Sequence, residues 1–151
     1  NTSINLYMSD INYFFENTPR FKYGIPPKKW IRKCLSCENK YIGVLNFIFC
    51  SDKYLQKLNK KYLKRSYFTD VISFKNAPPI LEKKGNENHI YGDIFISIER
   101  VKENKKTYKT IFATELKRVM IHGALHLIGF KDSSEKEKAI MRKKENTYIK
   151  I

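Results

Sequence analysis

"HGALHLIGFKD", residues 122–132, decides how this chain is read. His122 and His126 are four positions apart in an apolar run. On a helix that spacing stacks them one turn apart on one face, with Cβ atoms about 6 Å from each other. Gly129 can stop the helix by taking the left-handed conformation that other residues adopt only at a cost. The chain then turns through Phe130 and Lys131 and can return Asp132 to the same point. The segment therefore predicts a helix from about 111 to 128 and a candidate metal clamp of His122, His126 and Asp132. Two imidazoles and one carboxylate, with a fourth position left to water, is a known catalytic zinc arrangement. The spacing alone fits equally two histidines satisfied in a core or at a surface. Metalloprotease helices carry a glutamate directly after the first histidine as general base. Gly123 stands there and cannot move protons, so peptide hydrolysis by that route is disfavoured.

Outward from this segment, the pattern alternates between strand and helix signals. "SINLYMS", 3–9, alternates apolar and polar residues and reads as a strand. Pro26 and Pro27 can open a helix with Trp30, Ile31, Cys34 and Leu35 inward. "IGVLNFIFC", 42–50, is apolar on both faces, as in a buried strand. Ser51 reads as the N-cap of a helix carrying Tyr54, Leu55, Leu58 and Tyr62 inward. "TDVISF", 69–74, and "DIFISI", 93–98, are short strands, and the Pro-, Gly- and Asn-rich 75–89 between them is an exposed loop. A short helix starts near Glu99, and Ser134 with Glu137 forms a capping box for a last helix with Ile140, Met141 and Tyr148 inward. The mixed order implies an α+β fold: a small mixed sheet packed against several helices, with the histidine helix near the C-terminus.

Bulk properties narrow the function classes. A chain of 151 residues with 42% hydrophobic content can bury a core as one domain, 1–151, without disulfides. The N-terminal stretch lacks a signal-peptide pattern and no apolar run approaches the ~20 residues that span a bilayer, so a cytoplasmic protein off the membrane is expected. The net charge of +15 favours a polyanionic partner, nucleic acid first. "CLSC", 34–37, with Cys50 and His89 could supply four ligands of a structural zinc site. Buried reduced thiols fit better, because 34 and 37 fall on a predicted inward helix face and the other two residues are isolated.

The ordered motifs resemble one family. His122-Gly-Ala-Leu-His126-Leu-Ile-Gly129-Phe130 looks like the H-G-x-L-H-L-x-G-Y signature of the YbeY-type endoribonucleases. "LNKKYL" at 58–63, "TDVISF" at 69–74, "GDIFIS" at 92–97 and "ELKRVMIHG" at 115–123 resemble further family elements in the same order, so the likeness covers nearly the whole chain. It implies an α+β fold, one bound metal ion taken as zinc (another divalent ion being an alternative), and cleavage of single-stranded RNA. The implied role is ribosomal RNA processing, notably small-subunit 3′-end maturation, and ribosome quality control, with the ribosome or its small subunit as partner.

Two positions depart from the family pattern. The family places a third histidine where this chain has Asp132. A carboxylate can ligate, but its charge makes the ion a weaker Lewis acid. The family also places an RNA-contacting arginine where Leu63 stands, and Arg65, two positions on, is the candidate replacement. His122, Arg65 and Glu115 are thus the candidate catalytic residues, Glu115 because it lies two turns before His122 on one stripe; the spacing also fits an exposed Glu115 pairing with Arg118 or Lys109, and Arg65 as a solvated charge at a helix end. Lys60, Lys61, Lys64 and Arg65, with Lys57, Lys131, Arg142, Lys143 and Lys144, are candidates for a phosphate-tracking groove. Tyr67 and Phe68 could stack on unpaired bases, and Asp70 and Asp93 could sit behind the ligands or merely end turns. A different class remains open: a non-catalytic RNA- or ribosome-binding protein whose weakened metal site has cost it activity.

Overall fold

The computed structural model describes residues 10–63, 69–78 and 87–151. Its elements are β1 (Asp10–Glu16), α1 (Lys28–Ser36), β2 (Tyr41–Cys50), α2 (Asp52–Leu63), β3 (Val71–Lys75), β4 (His89–Ser97), α3 (Ile98–Thr107), α4 (Phe112–Leu127) and α5 (Glu135–Tyr148). The strands form one mixed sheet in the order β1-β2-β4-β3, with β1, β2 and β4 parallel and β3 antiparallel to β4 at the edge. This is the α+β architecture the pattern implies.

Side-chain alternation divides the sheet into two faces. Ile11, Leu45, Phe47, Phe49, Ile94 and Ile96 are fully buried and belong to the main core, together with Leu116, Met120 and Leu125 of α4. A smaller cluster, Cys50, Leu55 and Ile72, lies under α2 on the other face. Beside that cluster a polar ladder crosses three strands. Asn12 donates to Asn46 at 2.9 Å, Asn46 donates to Asp93 at 2.9 Å, and Asn76 donates to the same Asp93 oxygen at 3.1 Å. Asp93 is thus a sheet residue engaged by two amides.

α4 lies close to β3 and β4 because Gly123 faces them. A Cβ there would stand 2.6 Å from Ile94 Cγ2 and 2.9 Å from Val71 Cγ2. Ser73 Oγ of β3 donates to the Gly123 carbonyl at 2.8 Å. The residue that removes the protease base therefore seats the histidine helix on the sheet.

Some expectations shift. β1 at Asp10–Glu16 carries no expectation from the sequence, and "SINLYMS" lies outside the described residues, as does most of the loop at 75–89. Tyr62 is 56% exposed rather than inward, because α2 extends past the small cluster there, and Asn59 occupies the buried position. Ile140 is 43% exposed; the inward stripe of α5 is Met141, Glu145 and Tyr148, at i, i+4, i+7. Cys37 is exposed, while Cys34 and Cys50 are buried and all three are free. Burial pushes the Cys34 and Cys50 thiols up to about 12, so both stay protonated. Cys50 pairs in register with Ser97 and His89 with Tyr41, at opposite ends of β2, roughly 25 Å apart. A shared zinc site of those residues is ruled out. No helix among the described residues is long and apolar enough to cross a membrane.

Candidate metal centre

The helix stop is built as its glycine suggests. Gly129 has φ +109°, its N–H donates to the His126 carbonyl at 3.0 Å, and the Phe130 N–H donates to the Leu125 carbonyl at 3.0 Å. This paired closure satisfies the last carbonyls of α4 and reverses the chain. Asp132 comes back over the C-terminal turn of α4, and Ser134 then caps α5, accepting from the Glu137 N–H at 3.1 Å while Glu137 returns a bond to the Ser134 N–H.

Three acceptors meet at this corner. The Nε2 atoms of His122 and His126 are 2.9 Å apart, and Asp132 Oδ2 is 3.3 Å from each. Ligands placed tetrahedrally at about 2.0–2.1 Å from zinc lie about 3.3 Å apart, so the triangle has the dimensions of one face of such a site. Each ring is fixed from behind. His122 Nδ1 contacts Glu145 Oε2 at 2.8 Å, and His126 Nδ1 contacts the Phe130 carbonyl at 2.9 Å. A carbonyl or carboxylate only accepts, so the hydrogen-bond network assigns a proton to each Nδ1. Both Nε2 lone pairs then point at each other and at a carboxylate. Such a convergence repels itself unless a positive charge sits within it, and the donor set fits a divalent cation. His122, His126 and Asp132 could therefore hold a metal ion.

The positive charge has a second source. Burial pushes the His122 pKa down, but the Glu145 hydrogen bond and charge, with Asp70 and Asp132, outweigh it and hold the ring above its ordinary 6.5. A metal ion bound there would compete with the proton for this ring.

Glu145 carries no expectation from the sequence, yet it is the acidic partner of His122. It is only 4% exposed and sits at the centre of the apolar stripe of α5. A carboxylate at i+4 from Met141 and i−3 from Tyr148 was the available signal. Arg118 Nη1 lies 3.6 Å from its other oxygen, and Arg118 Nε is bonded to Glu115 at 3.2 Å. Glu115 is fully buried and also accepts from Thr110 Oγ1 at 2.9 Å. Its two oxygens serve Thr110 and Arg118, so it reaches the ligands only through Arg118 and Glu145.

The triad opens into a cleft of about 350 Å³ between α4, β3 and the C-terminal end of α2, where Asn59, Asp70 and Ser73 complete the wall. Among the described residues no lysine or arginine lines it. Lys60 and Lys61 are exposed on the last turn of α2, whose Asn59 and Leu63 do line it. Lys144 is tied to Glu38 at 2.8 Å and Arg142 stands over the Tyr108 ring, 5.5 Å from its centroid. Lys64, Arg65, Tyr67 and Phe68 lie outside the described residues.

A sequence profile described as endoribonuclease YbeY matches residues 22–151. Among relatives, the endoribonuclease YbeY of Karelsulcia muelleri (strain GWSS) is 48% identical over 92% of this chain and 93% of its own. That of Christiangramia forsetii is 46% identical, covering 94% of each. The solution structure of TM1509 from Thermotoga maritima superposes with a TM-score of 0.59 over 91% of this chain and 87% of that one, at 24% identity, which establishes likeness of fold. Profile and relatives together place the chain in the endoribonuclease YbeY family, a family of RNA-cleaving hydrolases.

Proposed function

We propose that this protein is a metal-dependent endoribonuclease acting on single-stranded ribosomal RNA as one domain, with a single zinc ion held by His122, His126 and Asp132. The observation that carries the metal reading is the meeting of two Nδ1-protonated imidazoles and a carboxylate at 2.9–3.3 Å. When bound, the ion supplies positive charge to the phosphodiester as negative charge develops on it in the transition state. Around it, His122 and His126 hold their Nε2 atoms in place through Glu145 and Phe130. Asp132 closes the third side and lowers the net positive charge. Glu115 acts at one remove, fixing Arg118 against Glu145. Asp70 faces the same cleft and is the acceptor placed to orient an attacking hydroxyl. Lys60 and Lys61, with Lys64 and Arg65, lead the RNA backbone towards the cleft.

The net charge of +15 supports a polyanionic substrate, and the relatives' name supports RNA cleavage. Maturation of the small-subunit rRNA 3′ end, ribosome quality control, the small subunit as partner and a cytoplasmic location rest on the family likeness. One observation favours a second reading, an RNA- or ribosome-binding protein without catalysis: Asp132 replaces the family's neutral third ligand. The two are separated by incubating single-stranded rRNA fragments with wild type and His122→Ala, each with and without chelator. Cleavage by the metal-loaded wild type alone, with about one zinc per chain, is expected. Binding without cleavage would establish the second reading.

A further inference from the structure

A second groove lies on the other side of α3 from the metal cleft. It encloses about 420 Å³, and among the described residues no acidic one lines it. Its floor is aromatic. Phe21 packs edge-on against Phe15 and Phe112, at 5.3 and 5.7 Å between centroids, and tilted against Phe49 at 5.2 Å. Phe21 and Phe112 remain half-buried, so this packed cluster still offers surface to the groove. Tyr23 stands on the rim, 81% exposed.

The rest of the rim is cationic: Arg20 from the β1–α1 connection and Lys102, Lys105 and Lys106 from α3. Among the described residues none of the four is paired with an acid. An aromatic floor with an exposed tyrosine, ringed by four cations, suits a ligand that is aromatic in one part and anionic in another. A nucleotide has that make-up: its base stacks on a ring and its phosphate meets lysine or arginine.

The placement ties the groove to the metal cleft. On α3, Asn104 donates to Asp70 in the cleft at 3.5 Å, while Ile98, Lys102 and Lys105 repeat at i, i+4, i+7 on roughly the opposite side. One helix, about 10–12 Å across, separates the two sites, a span that linked nucleotides bridge. We infer that the groove of Arg20, Tyr23, Phe21, Lys102, Lys105 and Lys106 is a second RNA-binding subsite, holding a single-stranded nucleotide of the RNA whose scissile phosphate enters the metal cleft. The inference rests on RNA being the substrate, as proposed above.

The test measures binding rather than turnover, so it does not depend on the nuclease reading. Labelled polyuridylate of 12 nucleotides is titrated in chelator against the His126→Ala protein. The same protein is compared after adding Lys102→Ala, Lys105→Ala and Lys106→Ala, after adding Tyr23→Ala, and after a charge-matched change to alanine of Lys136 and Lys138 on α5 and Lys150 just beyond it. The groove lysine variant is expected to lose about tenfold in affinity and about two units of log–log salt slope. Tyr23→Ala is expected to lose about fivefold or more with the slope unchanged. A uridine-analogue crosslink should map to the peptide containing Phe21 and Tyr23. Equal losses in the groove and α5 variants, no loss with Tyr23→Ala, or displacement of the RNA by polyglutamate of equal charge as readily as by unlabelled RNA would each overturn the subsite. If wild type binds through this groove yet never cleaves RNA, the groove stands as an RNA-binding site, while the nuclease proposal falls and with it the link to a scissile phosphate.

Discussion

At the residue scale, the candidate ligands depend on atoms behind them. Glu145 holds His122 Nδ1 at 2.8 Å from a nearly dry site. Glu145→Gln keeps the size and an accepting oxygen but removes the charge that strengthens the imidazole as a donor. Zinc affinity is expected to fall about 10- to 100-fold, read by competition with a chromophoric chelator. Asp132→His exchanges a charged ligand for a neutral one, and the rising limb of the RNA-cleavage pH profile is expected to move to lower pH. An unchanged profile would detach Asp132 from the ion. Because the His122 pKa is raised, its protonation stabilises the metal-free fold fully below the ordinary value of 6.5, and this contribution is lost as pH rises through the higher folded value. Melting of the chelator-treated protein should therefore decline across that window. Zinc, which needs the neutral ring, should raise the melting temperature most above it.

At the scale of elements, the critical contact is α4 against β3 and β4. Gly123→Ala places a methyl 2.6 Å from one branched side chain and 2.9 Å from another, neither with a flexible end to swing aside. Overpacking of this kind costs about 1–3 kcal/mol in chemical denaturation, and the same displacement tilts both histidines. Loss of zinc affinity should accompany loss of stability. Most of these elements could be read beforehand because each carries its own punctuation: prolines before α1, Ser51 before α2, a capping box before α5, a glycine after α4. β1 escaped because Phe14, 49% exposed on the open face, interrupts the alternation of Ile11, Tyr13 and Phe15. Glu145 and Asn59 escaped for a different reason. Each is a polar residue buried by its neighbours, and residue type alone reports the opposite. The two histidines and Asp132 were legible by spacing, whereas the Glu115–Arg118–Glu145 chain exists only once α5 packs on α4.

At the scale of the whole molecule, the surplus of cations dominates behaviour in salt. RNA affinity is expected to fall linearly in log–log form with ionic strength, at about 0.7 per phosphate contact. Zinc affinity at a partly buried triad should change far less over the same range. Parallel titrations of the two ligands from low to high salt make the comparison, and a zinc affinity that falls as steeply as that of RNA would argue against an enclosed site.

The turn after α4 has one further consequence. Its two closing bonds fix where Phe130 begins, the Phe130 carbonyl aligns one donor ring, and Asp132 delivers the third donor from two positions later. Chain length along this hairpin works as a ruler: the chemical nature of the group at its end can be exchanged without rebuilding the scaffold, but one inserted or deleted residue would throw the tip out of reach. Position 132 is accordingly where the chemistry of this corner can be changed by swapping functional groups, whereas the spacing from 126 to 132 is what brings any such group back over the helix end.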